Sequence, residues 1–177
     1  MIISLDEAKL IDSNITQDDL DAFEESIRQL TNNTFQNTAV RFEGVTLEEP
    51  NVIHIKGPIR GLRVGDTVEV NYSAYNNGVY IVDEILTDTI KVAGVPFIDE
   101  INSRMMLTLV SYPADIKRGV KKMIEYDKKM AGKVGIKSQT ISRMSTTYYD
   151  VNANENTEGF PAALLSFLKK YEKMRWG

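Results

Sequence analysis

Cysteine is missing from all 177 residues. Its absence excludes disulfides, a thiolate nucleophile and any cysteine-ligated metal, and it fits a reducing compartment. Histidine occurs once, as His54 between Ile53 and Ile55. One imidazole without cysteine makes a poor zinc site, and these neighbours read as a half-buried strand position. No apolar run approaches the roughly 20 residues that cross a bilayer. The N-terminal MIISLDEAKL turns acidic by Asp6 without a cationic start, so it is not expected to be a signal peptide. Also missing are the H-E-x-x-H, G-x-S-x-G, S-x-x-K and EF-hand patterns. Gly57, Gly61 and Gly65 do not make a phosphate loop, because no Lys-Ser/Thr and no helix follows them. Asp18, Asp19 and Asp21 cluster, but in the first turn of an expected helix, where acids belong. No set of nucleophile, base and orienting group is left. The expectation is a protein that is not an enzyme, with no catalytic residue, no cofactor and no metal site.

What is present is segregated charge. The net charge of −4 divides unevenly along the chain. Residues 1–38 hold eight acids against two bases, residues 39–112 ten against six, and residues 113–177 seven against thirteen. The acidic and basic ends can pair within one molecule, or between copies in head-to-tail fashion. The central stretch PADIKRGVKKMIEYDKKMA (residues 113–131) is the most strongly patterned. Ile116, Val120, Met123, Ile124 and Met130 form an apolar stripe at helical spacing, with Lys117, Arg118, Lys121, Lys122, Lys128 and Lys129 largely outside it. Pro113 suits the first turn and Gly132 the residue past the end. Gly119 inside this helix costs about 1 kcal/mol relative to alanine, so either the stripe is well packed or Gly119 permits a close approach. The cationic back reads as a solvated face before it reads as a nucleic-acid surface, since Glu125 and Asp127 interrupt it and the sequence pI is near 5.1.

Ser4-Leu5-Asp6-Glu7 is a capping box, predicting a short helix to about Asp12, and Thr16-Gln17-Asp18-Asp19 starts a second helix on the same logic. Its core face is Leu20, Phe23, Ile27 and Leu30, and Thr31-Asn32-Asn33-Thr34 is a plausible stop. From Ala39 the period changes to two, in Val40–Glu43, Val52–Ile55, Thr67–Val70, Val79–Val82 and Thr89–Val92, with a further apolar run from Met105 to Val110. Glu49-Pro50-Asn51, Gly57-Pro58, Gly65-Asp66, Asn76-Asn77-Gly78 and Thr87-Asp88 separate these as turns. Five or six short strands at this spacing predict a small antiparallel barrel or sandwich. A final helix is expected over Phe160–Met174, with Leu164, Leu165, Leu168 and Tyr171 as its seam. The expected fold is α+β: a helical bundle from residues 1–35 and 113–177, carrying residues 36–112 as an inserted small antiparallel β-barrel or sandwich.

Three stretches invite partners. Residues 135–150 are polar and poorly periodic, and Ile141, Met144, Tyr148 and Tyr149, with Arg143 among them, have little nearby to form a local core. They read as a loop ending in a short strand, or as an arm laid on a neighbouring chain. Trp176, with Tyr171 and Arg175, either caps the local core or anchors a partner. Arg60 and Arg63 lie in a turn between strands, either free in solvent or as a contact loop.

As an ordered set, these pieces resemble the head–tail connector (adaptor) proteins of long-tailed bacteriophages and prophages. The resemblance rests on the LDEAK helix, the acidic helix with its Leu-x-x-Phe-x-x-x-Ile seam, and Ile-Lys-x-x-Val-x-x-Met-Ile-x-Tyr. It continues through the Ser/Thr-rich segment ending Ser145-Thr146-Thr147-Tyr148 and the proline-started Leu164-Leu165-x-x-Leu168-x-x-Tyr171. It covers about the first 35 and last 65 residues. The long middle is a departure, and through Val64-Gly65-Asp66-x-Val68-x-Val70 and Asn76-Asn77-Gly78-x-Tyr80-x-Val82 it is similar to small β-domains of virion proteins. The resemblance implies a structural virion protein at the head–tail interface, made in the cytoplasm of a bacterial host. It implies a homo-oligomeric, twelvefold ring that docks under the portal protein, meets a tail or stopper protein, and extends a channel through which DNA passes without sequence-specific binding. No membrane is involved. Ile141, Arg143, Met144, Tyr148 and Tyr149 would then lie between subunits, and Tyr171, Arg175 and Trp176 would reach the portal. Arg60 and Arg63 would face the tail or a neighbouring subunit. The alternative is a monomeric module whose β-domain binds protein or nucleic acid.

Overall fold

The computed structural model describes residues 1–94, 96–131, 138–141, 144–147 and 156–174, with the backbone alone described for 138–141, 144–147 and 156. In chain order, two helices come first, α1 (Leu5–Lys9) and α2 (Gln17–Thr31). Strands follow: β1 (Gln36–Glu43), β2 (Thr46–Glu48), β3 (Val52–His54), β4 (Thr67–Asn71), β5 (Gly78–Ile85), β6 (Thr89–Ala93), β7 (Glu100–Ile101) and β8 (Met106–Val110). Then come α3 (Ala114–Met130), β9 (Ser138–Ile141), β10 (Met144–Thr147), β11 (Asn156–Thr157), β12 (Phe160–Pro161), α4 (Ala162–Leu165) and a 3-10 turn over Ser166–Tyr171. Two compact units result, Met1–Asn33 with Tyr112–Gly177 and, separately, Thr34–Ser111.

The expected helical bundle with an inserted barrel or sandwich is not what forms. The dominant element is one eight-stranded antiparallel sheet in the order β1-β8-β4-β5-β6-β3-β2-β7. The end strands β1 and β7 share no ladder, so the sheet does not close through backbone bonds. A bulge shifts the β1–β8 register between Asn37 and Arg41, which bends that edge. On the helical side, α1 has five residues and α4 four, too short to pack as bundle helices. The expected final helix divides because Phe160 and Pro161 pair with Thr157 and Asn156. The residues after α4 tighten to a 3-10 turn, and a three-residue repeat aligns Leu165, Leu168 and Tyr171 on one line.

In the sheet unit the core is aliphatic. Val45, Leu47, Ile53, Val68, Val70, Ile90, Met105 and Leu107 are all fully buried. The opposite face of β1, β8 and β4 is polar and joined side chain to side chain. Gln36 Nε2 donates to Glu69 Oε2 at 2.9 Å, while Arg41 donates to Thr108 Oγ1 at 3.1 Å and to Gln36 Oε1 at 3.2 Å. The strand β4 reads as nearly all buried because β8 and β5 flank it.

In the helical unit, the caps form where the spacing puts them. Ser4 Oγ accepts from Glu7 N, and Thr16 and Asp19 make a full capping box. The helix α2 ends at Asn32 in the left-handed region, φ 47°. Along α3 the buried residues are Ile116, Gly119, Val120, Met123 and Ile124. Burying four such aliphatic side chains contributes roughly 1.5–3 kcal/mol each, well above the cost of Gly119. Gly132 lies outside the described residues. Phe160 meets both long helices, its ring tilted at 6.0 Å from Phe23 and 5.9 Å from Tyr126. The C-terminal segment is tied to the end of α2: Lys173 N donates to Thr31 O at 2.8 Å, and Asn33 Nδ2 donates to Tyr171 O at 3.2 Å.

Candidate interaction surfaces

The loop from Ile55 to Asp66 carries Lys56, Arg60 and Arg63, all exposed. Its shape is set from beneath. Ile59 and Leu62 pack against the sheet core. Gly61 has φ +82°, and a Cβ there would sit 2.8 Å from Val40 Cγ2, so only glycine fits. At the exit, Asp66 Oδ2 accepts from Arg63 N at 2.7 Å and Gly65 N donates to Val82 O at 2.8 Å. Among the described residues none of the three cations makes an ion pair, and no acid lies between Glu49 and Asp66.

A second loop, Tyr72–Asn77, is locked to the segment Ile98–Asn102. The Glu100 carboxylate accepts from Ser73 Oγ at 2.5 Å, Ala74 N at 2.8 Å and Asn76 Nδ2 at 3.3 Å. Burial pushes the Glu100 carboxyl upward, but these donors outweigh it and hold it below the ordinary carboxylate range. The Asn76 amide imitates a strand partner, donating to Ile98 O at 2.8 Å and accepting from Ile98 N at 2.9 Å. Tyr80 OH donates to Asn76 O at 3.0 Å, and its ring meets Phe97 edge-on. The network presents Tyr72 and Tyr75 outward, 65% and 71% exposed, with Tyr72 held at φ +62°. A non-glycine residue in that region is strained unless its surroundings enforce it.

The helical unit holds three polar clusters. Glu24 is buried on the apolar side of α2, and its carboxylate takes the Met1 ammonium at 2.8 Å and the Tyr112 hydroxyl at 2.9 Å. Burial, reinforced by Glu24, pushes the Tyr112 hydroxyl well above its usual range. A pocket of about 220 Å³ is lined by Asp12, Asp19 and Asp127 with Ile15, Phe23 and Ile124. Burial first and the Asp19 charge second raise the Asp127 carboxyl. Among the described residues no cluster of His, Cys, Asp and Glu has the makings of a metal site. The third cluster joins α3 to the C-terminal turn. Asp115 binds Lys170 and accepts from Tyr171 OH at 2.6 Å. The Lys170 and Tyr171 bonds lower the Asp115 carboxyl from 3.8 to about 2. A depressed folded-state pKa means that stability is fully present above 3.8 and lost as pH falls toward 2. Asp115→Asn is therefore expected to flatten the acid side of the stability curve in that window, read as the urea midpoint of helical ellipticity against pH.

Of the residues singled out from the sequence, Arg60 and Arg63 share one exposed loop. Tyr171 is half-buried against Asp115. The backbones of Ile141 and Met144 are register partners in the ladder of β9 and β10, whereas Arg143, Tyr148, Tyr149, Arg175 and Trp176 lie outside the described residues. His54 Nε2 meets Glu48 Oε2 at 2.6 Å across the β2–β3 pair. The acidic and basic ends do meet within one molecule, through Lys121–Glu7 at 3.7 Å and Lys128 Nζ on Ile11 O at 2.5 Å. Sequence reasoning missed the Glu100 network, whose members are 27 residues apart. It also missed the Glu24 pair, for which a carboxylate four residues after Leu20 on an apolar face was the available signal. No helix among the described residues is long and apolar enough to cross a membrane. No protein-family model matches this chain, and no curated protein matches it.

Proposed function

We propose that this chain is a structural virion protein, a ring-forming head–tail connector that joins portal to tail. The observation that carries the reading is the two-stranded ladder β9–β10, which among the described residues pairs only with itself. A lone two-stranded hairpin is marginal in water. Among the described residues no further strand lies on its two outer edges, and such edges are suited to strand addition by an identical neighbour. A contact between two different surfaces repeats around an axis and closes into a ring when its rotation permits. The ordered set of motifs over residues 1–35 and 113–177 supports the same role. On this reading the ring is twelvefold, extends the DNA channel and sits at the head–tail junction of the virion. The chain supplies no chemistry.

The test is assembly. Wild-type protein mixed with the portal protein of the same genome is expected to give ring-shaped complexes in negative-stain images. A variant lacking residues 138–147 is expected to keep its helical ellipticity and thermal midpoint but to stay a monomer. Rings of normal yield from the deletion variant would overturn the reading.

The second reading, a monomeric module that binds a protein through its sheet unit, is favoured by the locked loop with Tyr72 and Tyr75 outward. Rigid exposed aromatics bind at low entropic cost. It predicts a monomer in sedimentation at every concentration, with or without portal.

A further inference from the structure

We propose that the basic loop of one copy, through Lys56, Arg60 and Arg63, docks on the outer acidic stripe of α2 in a second copy, through Asp18, Asp21 and Glu25. The inference rests on the ring-forming reading and names one of its contacts.

On α2, Asp18, Asp21 and Glu25 follow one another at three and four residues, so they share one face. All three are exposed, whereas Leu20, Glu24, Ile27 and Thr31 form the buried face. Asp21 and Glu25 accept only from the neutral amides of Gln17 and Gln29, at 2.8 and 2.9 Å. Asp21 also feels the Met1 ammonium, but none of the three makes an ion pair with a side chain among the described residues. Among the described residues no side-chain cation pairs with the negative charge of the stripe.

The loop is its complement in sign and in rigidity. Three cations project from eight residues whose backbone is held by Ile59, Leu62, Gly61 and Asp66, so little freedom is lost on docking. Two of the three are arginines, whose planar forks suit carboxylates. Loop and stripe are different patches, one on each unit, so their pairing between copies can repeat head to tail and close into a ring when its rotation permits. Charge complementarity also decides against nucleic acid as the occupant. The unit that bears the loop holds ten acids against six bases over residues 34–111, a field that repels a polyanion at long range while leaving a short-range contact with carboxylates intact.

The lack of cysteine makes the contact directly trappable in the full-length chain. Arg60→Cys protein mixed with Asp21→Cys protein and oxidised is expected to give mainly the mixed cross-linked dimer. Thr87→Cys, on the exposed β5–β6 turn, is expected to give none with Asp21→Cys. Equal yields from the two mixtures would overturn the proposal. Charge reversal supplies the second arm, read as ring yield with portal. Lys56→Glu/Arg60→Glu/Arg63→Glu alone and Asp18→Lys/Asp21→Lys/Glu25→Lys alone are each expected to abolish rings. Both sets in one chain are expected to restore them. All six side chains are exposed, so thermal midpoints are expected to stay near wild type and to report any folding defect. Rings that survive both single reversals would sink this contact and leave the connector reading standing. Loop reversal that abolishes binding of a labelled DNA duplex, while stripe reversal leaves the rings intact, would make nucleic acid the occupant and overturn the proposal.

Discussion

Gly119→Ala is expected to destabilise the helical unit by up to about 2 kcal/mol, although alanine is the better helix former. A Cβ at Gly119 would lie 2.1 Å from Phe167 Cζ, with the two Cε atoms at 2.3 and 2.5 Å. The ring of Phe167 rests on the bare backbone of α3 and would have to swing out. Overpacking of this kind costs typically 1–3 kcal/mol, against a gain of about 1 kcal/mol in helix propensity. The sign tests the mechanism. In a Phe167→Ala background the obstacle is gone, and Gly119→Ala is then expected to stabilise by up to about 1 kcal/mol. A double-mutant cycle on urea midpoints reads this coupling. If Gly119→Ala stabilises the otherwise unaltered chain, the close approach is wrong.

Asn76→Ala is expected to cost the sheet unit about 2–4 kcal/mol. The Asn76 side chain is almost fully buried and serves both backbone groups of Ile98 as well as Glu100. Alanine leaves the Ile98 N–H and C=O without that partner, at about 1–3 kcal/mol for each group that stays dry. The neighbouring Asn77→Ala removes bonds to Ser73 alone, on a more exposed side chain, and is expected to cost less than half as much. Amide hydrogen exchange at Ile98 is expected to accelerate in Asn76→Ala and to remain slow in Asn77→Ala. Equal losses in the two variants would mean that the amide mimicry of a strand contributes nothing.

Much of the local structure was legible because it depends on residues near each other in the chain. The Ser4 and Thr16 caps rest on side chains three residues from the groups they bind. The stripe of α3 was read from its spacing, and a close approach at Gly119 was one of the two readings it left open, because the ring that makes it lies 48 residues further on. Of the eight strands of the large sheet, five were visible from alternation and β8 from the apolar run Met105–Val110. The remaining two were not: β2 and β7 have three residues and two, too few to show a period, and they exist because neighbouring strands hold them. The final helix was overread because Leu164, Leu165, Leu168 and Tyr171 satisfy an α-helical seam, while Leu165, Leu168 and Tyr171 also satisfy a repeat of three.

The candidate surfaces divide the same way. The positive loop was visible as Arg60 and Arg63 among glycines, and the negative face of α2 as acids at helical spacing. The order of the strands, the lock between Ser73 and Glu100, and the burial of Glu24 against Met1 and Tyr112 were decided by tertiary structure alone. The amino-acid sequence by itself determined the helix caps, six strands of the large sheet, the segregation of charge and the absence of thiol chemistry, because each follows from composition or from neighbours a few residues apart. Only the folded chain decided that eight of the strands form one open sheet and that the final helix breaks after Leu165. Those outcomes depend on which distant backbone edges and side chains meet, and spacing along a chain carries no record of such meetings.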